Sequence, residues 1–147
     1  NKDFMNKYIP STSKWVRNQV ELYEKSNGTE GNTVSDFPVM IVTNLGRKSG
    51  AIRKTPLITV KDGDRYVLIA SQGGSPKHPN WYYNLRANPT VKIQDGSTIY
   101  DMKVTEIIES KERKRLWDIA VKTYFHYQDY QNRTKRMIPI FLAVPIK

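Results

Sequence analysis

The stretch "FPVMIVTNLGRKSGAIRKTPLITVKDGDRYVLIASQ", residues 37–72, decides the architecture of the chain. Its first nine residues are apolar and β-branched and read as one buried strand. After the turn, "RKTPLITVKDGDRYVLIASQ" reads as two strands joined through Asp62-Gly63, a strong hairpin signal. Between these runs lie Arg47, Lys48, Arg53 and Lys54, with Gly46 and Gly50 among them and no acid close by in the sequence. Glycines admit backbone conformations barred to other residues, so the peptide N–H groups between them can turn toward an anion. Lys48 adds a point charge, and Arg47 and Arg53 add planar forks suited to phosphate or carboxylate. The loop reads either as an anion cradle or as a solvated basic turn, and the pattern alone does not choose.

Working outward, "TVKIQDGSTIYDMKVTEIIE" repeats the arrangement around Asp95-Gly96, with Val91 and Ile93 alternating against polar neighbours. A last strand runs through "MIPIFLAV". About six mainly antiparallel strands linked by tight turns point to an α+β fold whose sheet closes into a small barrel. Upstream, "STSKWVRNQVELYEK" offers Ser11, Thr12 and Ser13 as N-caps and sets Trp15, Val16, Gln19, Val20 and Tyr23 on one helical stripe. A left-handed cap at Asn27-Gly28 ends it. This N-terminal segment, residues 1–30, reads first as a helix packed over the barrel, which occupies residues 31–147 of the single domain expected. Lys2, Lys7, Lys14 and Arg17 also allow it to lie on a membrane surface.

Two further helices are expected. One follows Pro79 and carries Trp81, Tyr82 and Leu85 up to Asn88-Pro89. The other, "SKERKRLWDIAVKTYFHY", starts at a Ser110 cap and presents Leu116, Trp117, Ala120, Val121 and Tyr124 on its apolar face. The absence of Cys excludes disulfides, thiolate metal sites and thiol nucleophiles, and a reducing cytoplasm is the expected compartment. His78 and His126 have no metal-ligand spacing around them, so no metal is expected. The net charge of +10 implies an anionic partner, and a phosphate-bearing coenzyme, nucleic acid or a bilayer would all serve.

Two more clusters narrow that choice. "IASQGGSPKHPNWYYNLRANP" ends a strand at the small, polar Ser71 and runs through glycines into a helix start, where N–H groups face outward. In "TYFHYQDYQNRTKR", Tyr124, Tyr127 and Tyr130 recur every three residues, so they share one face if the helix persists through them. Three such hydroxyls can line a pocket for a planar ligand. Packing in the core, with only the tips exposed, is at least as good a reading for any single tyrosine.

Together "GRKSGxxRxTPL", "IASQGGxPKHPNWYYNLRANP" and "TYxxYQDYQxRTxRxIPI" resemble the deazaflavin-dependent nitroreductases of actinobacteria, from about Trp15 to about Pro145. The resemblance implies an FMN-binding-type split β-barrel that binds coenzyme F420, with FMN the less favoured ligand. It implies that Arg47, Lys48, Ser49 and Arg53 hold the coenzyme's phosphate and tail, with Lys54, Thr55, Pro56, Leu57 and Ile58 supporting them. Ile69, Ala70, Ser71 and Gln72 would lie along the ring, and Asn80, Trp81, Tyr82, Tyr83 and Asn84 across the groove. Tyr127 would touch the coenzyme, with Ser71, Tyr124 and Tyr130 serving the reaction. Ile58 stands where members often carry Tyr and Gln72 where they often carry Lys, departures that bear on acceptor preference more than on coenzyme binding.

The implied activity is hydride transfer from reduced F420 to a hydrophobic, electron-poor small molecule such as a quinone or nitroaromatic. A non-catalytic carrier of F420 or flavin is the alternative. Nucleic acid is not expected as a partner, because Glu21, Glu24, Asp62, Asp64, Asp95 and Asp101 are scattered outside the basic loop. Monomer and homodimer stay open.

Overall fold

A computed structural model describes residues 6–147. The element order is α1 (Lys14–Lys25), β1 (Thr33–Val34), β2 (Phe37–Leu45), β3 (Ile52–Ile58), β4 (Lys61–Asp62), β5 (Arg65–Ile69), α2 (Asn80–Ala87), β6 (Thr90–Asp95), β7 (Thr98–Glu106), α3 (Ser110–Thr123), α4 (His126–Arg133) and β8 (Ile140–Pro145). The eight strands form one curled antiparallel sheet in the order β1-β2-β6-β7-β8-β5-β4, with β3 also paired to β2. This is a split barrel, as the sequence leads one to expect.

The strand reading holds at β2 and at both Asp-Gly turns. Asp62 pairs with Arg65 and Asp95 with Thr98, so each glycine occupies the first loop position, with φ of 67° at Gly63 and 65° at Gly96. It needs correction elsewhere. β3 does not pair with β5: it runs back along β2, and the hairpin at Gly63 joins β5 only to the two-residue β4. The short β1 and β4 raise the expected six strands to eight. Met137 lies outside β8 and is exposed, while Ile138 is buried just ahead of the strand.

Alternation along β2 explains how the sheet faces two ways. Met40 and Val42 point into the barrel with Leu68, Val91, Ile93, Met102 and Phe141, where α2 caps them with Trp81 and Leu85. Val39 and Ile41 point outward and receive Val20 and Tyr23 of α1. Each large apolar side chain buried this way contributes roughly 1.5–3 kcal/mol, so α1 is held chiefly by packing. Ser13 caps α1, accepting a hydrogen bond from the Val16 N–H, and the helix ends through left-handed Asn27 and Gly28. Gly28 has no room for a side chain: a Cβ there would stand 2.5 Å from the Cα of Gly96.

On this helix Trp15 departs from the expected buried stripe and is 63% exposed. Lys2 lies outside the described residues. Among the described residues no helix is long and apolar enough to cross a membrane.

The third sequence-predicted helix is in fact two. α3 is capped by Glu109, not Ser110, and stops at Thr123. Tyr124 takes an extended φ of −140°, and a separate α4 begins at His126. Residues 72–74 form a short 3-10 turn beneath α4, where a Cβ on Gly74 would lie 2.7 Å from the Tyr130 carbonyl oxygen.

Candidate active site

A cavity of about 440 Å³ opens between α1, β3, the end of β5 and the start of α4. A second of about 340 Å³ lies over the basic loop. Arg53, Asn80 and Asn84 line both, so the two are lobes of one groove. The larger lobe has apolar walls from Val16, Val34, Val39, Leu57, Ile58 and Trp81, with polar groups at Ser71 and the three tyrosines. The smaller is cationic, bounded by Arg47, Lys48, Ser49 and Arg53.

The local structure of the basic loop explains what it can still bind. The Gly46 N–H donates to the Ala51 carbonyl and the Gly50 N–H to the Gly46 carbonyl, both at 2.8 Å. Gly50 has a φ of 69°, which favours glycine, whereas Gly46 is not left-handed, and a Cβ there would meet Ser49 Oγ at 2.8 Å. The Arg47 N–H is taken by Asn84 Oδ1 at 3.0 Å. The Lys48 and Ser49 N–H groups therefore remain for an anion, fewer than the glycine spacing suggests. Of the four cations, Lys54 is committed elsewhere, to Glu24 at 2.5 Å. Arg47 lies over the Tyr83 ring with its guanidinium carbon 4.5 Å from the centroid.

Ser71 follows β5, is buried, and lines the larger lobe. Its loop is pinned by Arg136. That guanidinium donates to the carbonyls of Ser71 at 2.7 Å, Ser75 at 2.8 Å and Ala70 at 3.1 Å, and meets His78 Nδ1 at 2.9 Å. Burial, and then the Arg136 charge, hold His78 below the usual imidazole pKa, so it faces Arg136 as a neutral acceptor. Gln72 sits at the lip of the turn with φ of 45°, an uncommon conformation for a residue with a side chain.

The tyrosines meet although the helix breaks. Tyr124 and Tyr130 hydroxyls are 2.9 Å apart, with the Tyr127 ring packed edge-on against both rings. Burial, followed by the Tyr130 hydrogen bond, raises the Tyr124 pKa to about 12, and burial likewise raises Tyr127. Both hydroxyls hold their protons at neutral pH.

Most of the residues implied by the resemblance line the groove: Arg47, Lys48, Ser49, Arg53, Lys54, Thr55, Pro56, Leu57, Ile58, Ile69, Ser71, Gln72, Asn80, Trp81, Asn84, Tyr124, Tyr127 and Tyr130. Ala70, Tyr82 and Tyr83 do not. Ala70 and Tyr82 belong to the barrel core, with the Tyr82 hydroxyl turned to Glu106, and Tyr83 supports Arg47 from outside. The lining also includes Trp15, Gln19 and Asn44, which were not among the expected site residues. Gln19 and Asn44 carry legible signals: each is polar in an apolar register, Gln19 on the stripe of α1 and Asn44 after Met40 and Val42 on β2. Among the described residues no His, Asp or Glu group is arranged to hold a metal.

A split barrel with a groove divided into an apolar lobe and a cationic one has the form of a site for a coenzyme with an apolar body and an anionic tail. The chain belongs to the F420H(2)-dependent quinone reductase family, whose model matches residues 15–145. A Mycobacterium tuberculosis protein named F420H(2)-dependent quinone reductase is 32% identical over 140 residues, covering 87% of this chain and 94% of its own. The solved F420-H2-dependent reductase FDR-A is 44% identical, covers 73% of this chain and 94% of its own, and has a TM-score of 0.68. A solved domain-swapped dimer is 42% identical, covers 91% of this chain and 100% of its own, and has a TM-score of 0.71. A Mesorhizobium loti FAD-binding protein, 15% identical with a TM-score of 0.53 over 87% of this chain and 89% of its own, shares the fold.

Proposed function

We propose that the groove binds F420, phosphate and acidic tail on the cationic lobe and ring against the Ser71 strand end, and that the chain reduces a flat, hydrophobic acceptor of the quinone class. The observation that carries this reading is the joining of the two lobes at Arg53, Asn80 and Asn84. A ring and an anionic tail on one ligand fit such a groove, and Gln19 Oε1 and Asn44 Nδ2, buried in its wall without a hydrogen-bond partner among the described residues, fit a ligand that completes them. Reduced F420 supplies a hydride when bound.

The chain's own residues supply position and a proton-bearing surface. Arg53 and Lys48 place charge where the tail would lie, and the free N–H groups of Lys48 and Ser49 add backbone donors. Leu57, Ile58, Val39 and Trp81 give the larger lobe apolar walls, so a ligand filling it displaces water and strengthens the hydrogen bonds made there. Arg136 fixes the Ser71 carbonyl and so the hydroxyl's approach to the cavity. A quinone reduced by hydride gains negative charge on oxygen and then a proton. Tyr124 stays protonated at neutral pH, and through its hydrogen bond with Tyr130 the pair can donate a hydrogen bond to that oxygen. Ile58 leaves this wall apolar where a further hydroxyl would otherwise stand, which suits unsubstituted hydrophobic rings. Exposed Trp15 and Lys14, at the start of α1 beside the cavity, support a peripheral contact with a bilayer, which co-sedimentation with vesicles tests.

Fluorescence titration with oxidised F420 and with FMN tests the coenzyme reading. F420 should bind at least about tenfold more tightly, since its longer anionic tail engages more of the cationic lobe. Equal or tighter FMN binding would contradict the reading.

A further inference from the structure

Two hydrogen bonds in series cross the junction of the lobes, and they fix a donor that has nothing to donate to. The Arg47 backbone N–H can only donate, and it meets Oδ1 of Asn84 at 3.0 Å. The Asn84 amide nitrogen is thereby turned the other way, donating to Oδ1 of Asn44 at 2.9 Å. Asn44 is left with its Nδ2 on the side away from Asn84. Flipping either amide would set donor against donor, so the orientation follows from the partners themselves. That nitrogen is fully buried and has no partner among the described residues, and Asn44 is 0% exposed. Buried donors are rarely left unpaired in folded proteins, because the lost hydration is not returned.

The residue's place shows what would pair with it. Asn44 ends the inward row Met40, Val42, Asn44 of β2, where that row reaches the wall of the larger lobe beside Asn80, Trp81 and Asn84. It lines the larger lobe and not the cationic one. Its neighbours Asn80 and Asn84 line both. A ligand spanning the groove therefore presents to Asn44 the part between its flat body and its charged tail.

We propose that Asn44 is a coenzyme-binding residue whose Nδ2 donates to an uncharged oxygen of the bound deazaflavin, on the ring edge or on the hydroxylated chain leading to the phosphate. This rests on the coenzyme reading given above. The donor is already dehydrated and held by Asn84, so binding strips no water from it; because nothing of water size reaches Nδ2 in this structure, the ligand oxygen meets it through a small shift of the cavity wall. A ligand with an apolar group at that point leaves the donor orphaned and is disfavoured.

The test compares two probes, oxidised F420 and phosphate-free 8-hydroxy-5-deazariboflavin, titrated by fluorescence into the full chain and its variants. Asn44→Asp keeps the oxygen that accepts from Asn84 and replaces only the donor. It should weaken both probes about tenfold at pH 7.5, the effect of one lost hydrogen bond. Affinity relative to wild type at the same pH should recover as the pH falls and the new carboxyl takes up a proton, which restores an O–H donor. Asn44→Leu should show the same loss without that recovery, its folding checked by circular dichroism. Arg53→Ala should weaken F420 and leave the phosphate-free probe nearly unaffected. Wild-type affinity of folded Asn44→Leu for the phosphate-free probe would overturn the proposal, because that side chain has no donor at any pH. Failure of the wild type to bind either probe would overturn the coenzyme reading itself, and this proposal with it.

Discussion

The hydroxyls of Tyr124 and Tyr130 stand 2.9 Å apart across the break between α3 and α4, so one hydrogen bond ties two side chains that line the same cavity. Tyr124→Phe or Tyr130→Phe removes one oxygen and leaves the other. Turnover with a quinone should fall about ten- to a hundredfold, toward the lower end of what a positioned proton donor contributes. Coenzyme affinity should change less than about twofold, which separates loss of chemistry from loss of binding. Because the Tyr124 pKa is raised to about 12, its proton is present at all lower pH, and the rate should show no loss from this group between about pH 6 and 9. Steady-state rates across that range, beside coenzyme titrations, check both statements.

The cations of the basic loop should not behave alike. Lys54 is paired with Glu24, whereas Arg53 lines both lobes and Lys48 the cationic one. Arg53→Ala and Lys48→Ala should each weaken F420 binding roughly ten- to a hundredfold and flatten its salt dependence. Lys54→Ala should cost affinity far less and should loosen α1 instead, seen as a lower unfolding midpoint. Equal effects of all three on affinity would show that the loop acts as an undifferentiated field of charge.

Gly74 has no room for a methyl group, since its Cβ would meet the Tyr130 carbonyl oxygen at 2.7 Å, and its φ is 81°. Gly74→Ala should destabilise the fold by about 1–3 kcal/mol through backbone strain and the displaced helix. Turnover at temperatures where the variant is folded should fall as well, because α4 carries Tyr130. Gly73, which has open space around it, gives the control: Gly73→Ala meets only the φ penalty. Urea unfolding and rates on the same preparations compare the two.

Arg136 and His78 link the groove to pH. His78 titrates below its usual range in the fold, so it contributes stability that is fully present above the unfolded value, about pH 6.5, and is lost as the pH falls through the lower folded value. His78→Asn keeps an oxygen for Arg136 and should remove that acid-side decline. Arg136→Leu strips donors from the carbonyls of Ala70, Ser71 and Ser75 and should cost more than about 2 kcal/mol. Unfolding curves at several pH values measure both effects.

Much of the frame is legible because its signals are local. β2 is a continuous apolar run, Asp62-Gly63 and Asp95-Gly96 are turn dipeptides, and Pro79 and Asn88-Pro89 bracket α2 within a residue. The break at Tyr124 is not legible. Leu116, Ala120, Tyr124 and Tyr127 continue at helical spacing, and the contacts that accompany the interruption come from far along the chain, with Phe37 edge-on to Tyr124 at 4.8 Å. The route of β3 is hidden for the same reason, since pairing with β2 or with β5 suits its pattern equally. Three motifs locate the site, yet they miss Asn44, whose partner Asn84 is 40 positions away, and they include Tyr82, whose burial depends on the barrel.

The most direct measurement is oxidation of F420H2 by a quinone such as menadione, followed through the returning absorbance of oxidised F420, with and without the protein. The expected result is saturable turnover that depends on the protein and is lost about ten- to a hundredfold in Tyr130→Phe. Tight F420 binding with no acceleration by any quinone would contradict it, and would make the groove a carrier's site.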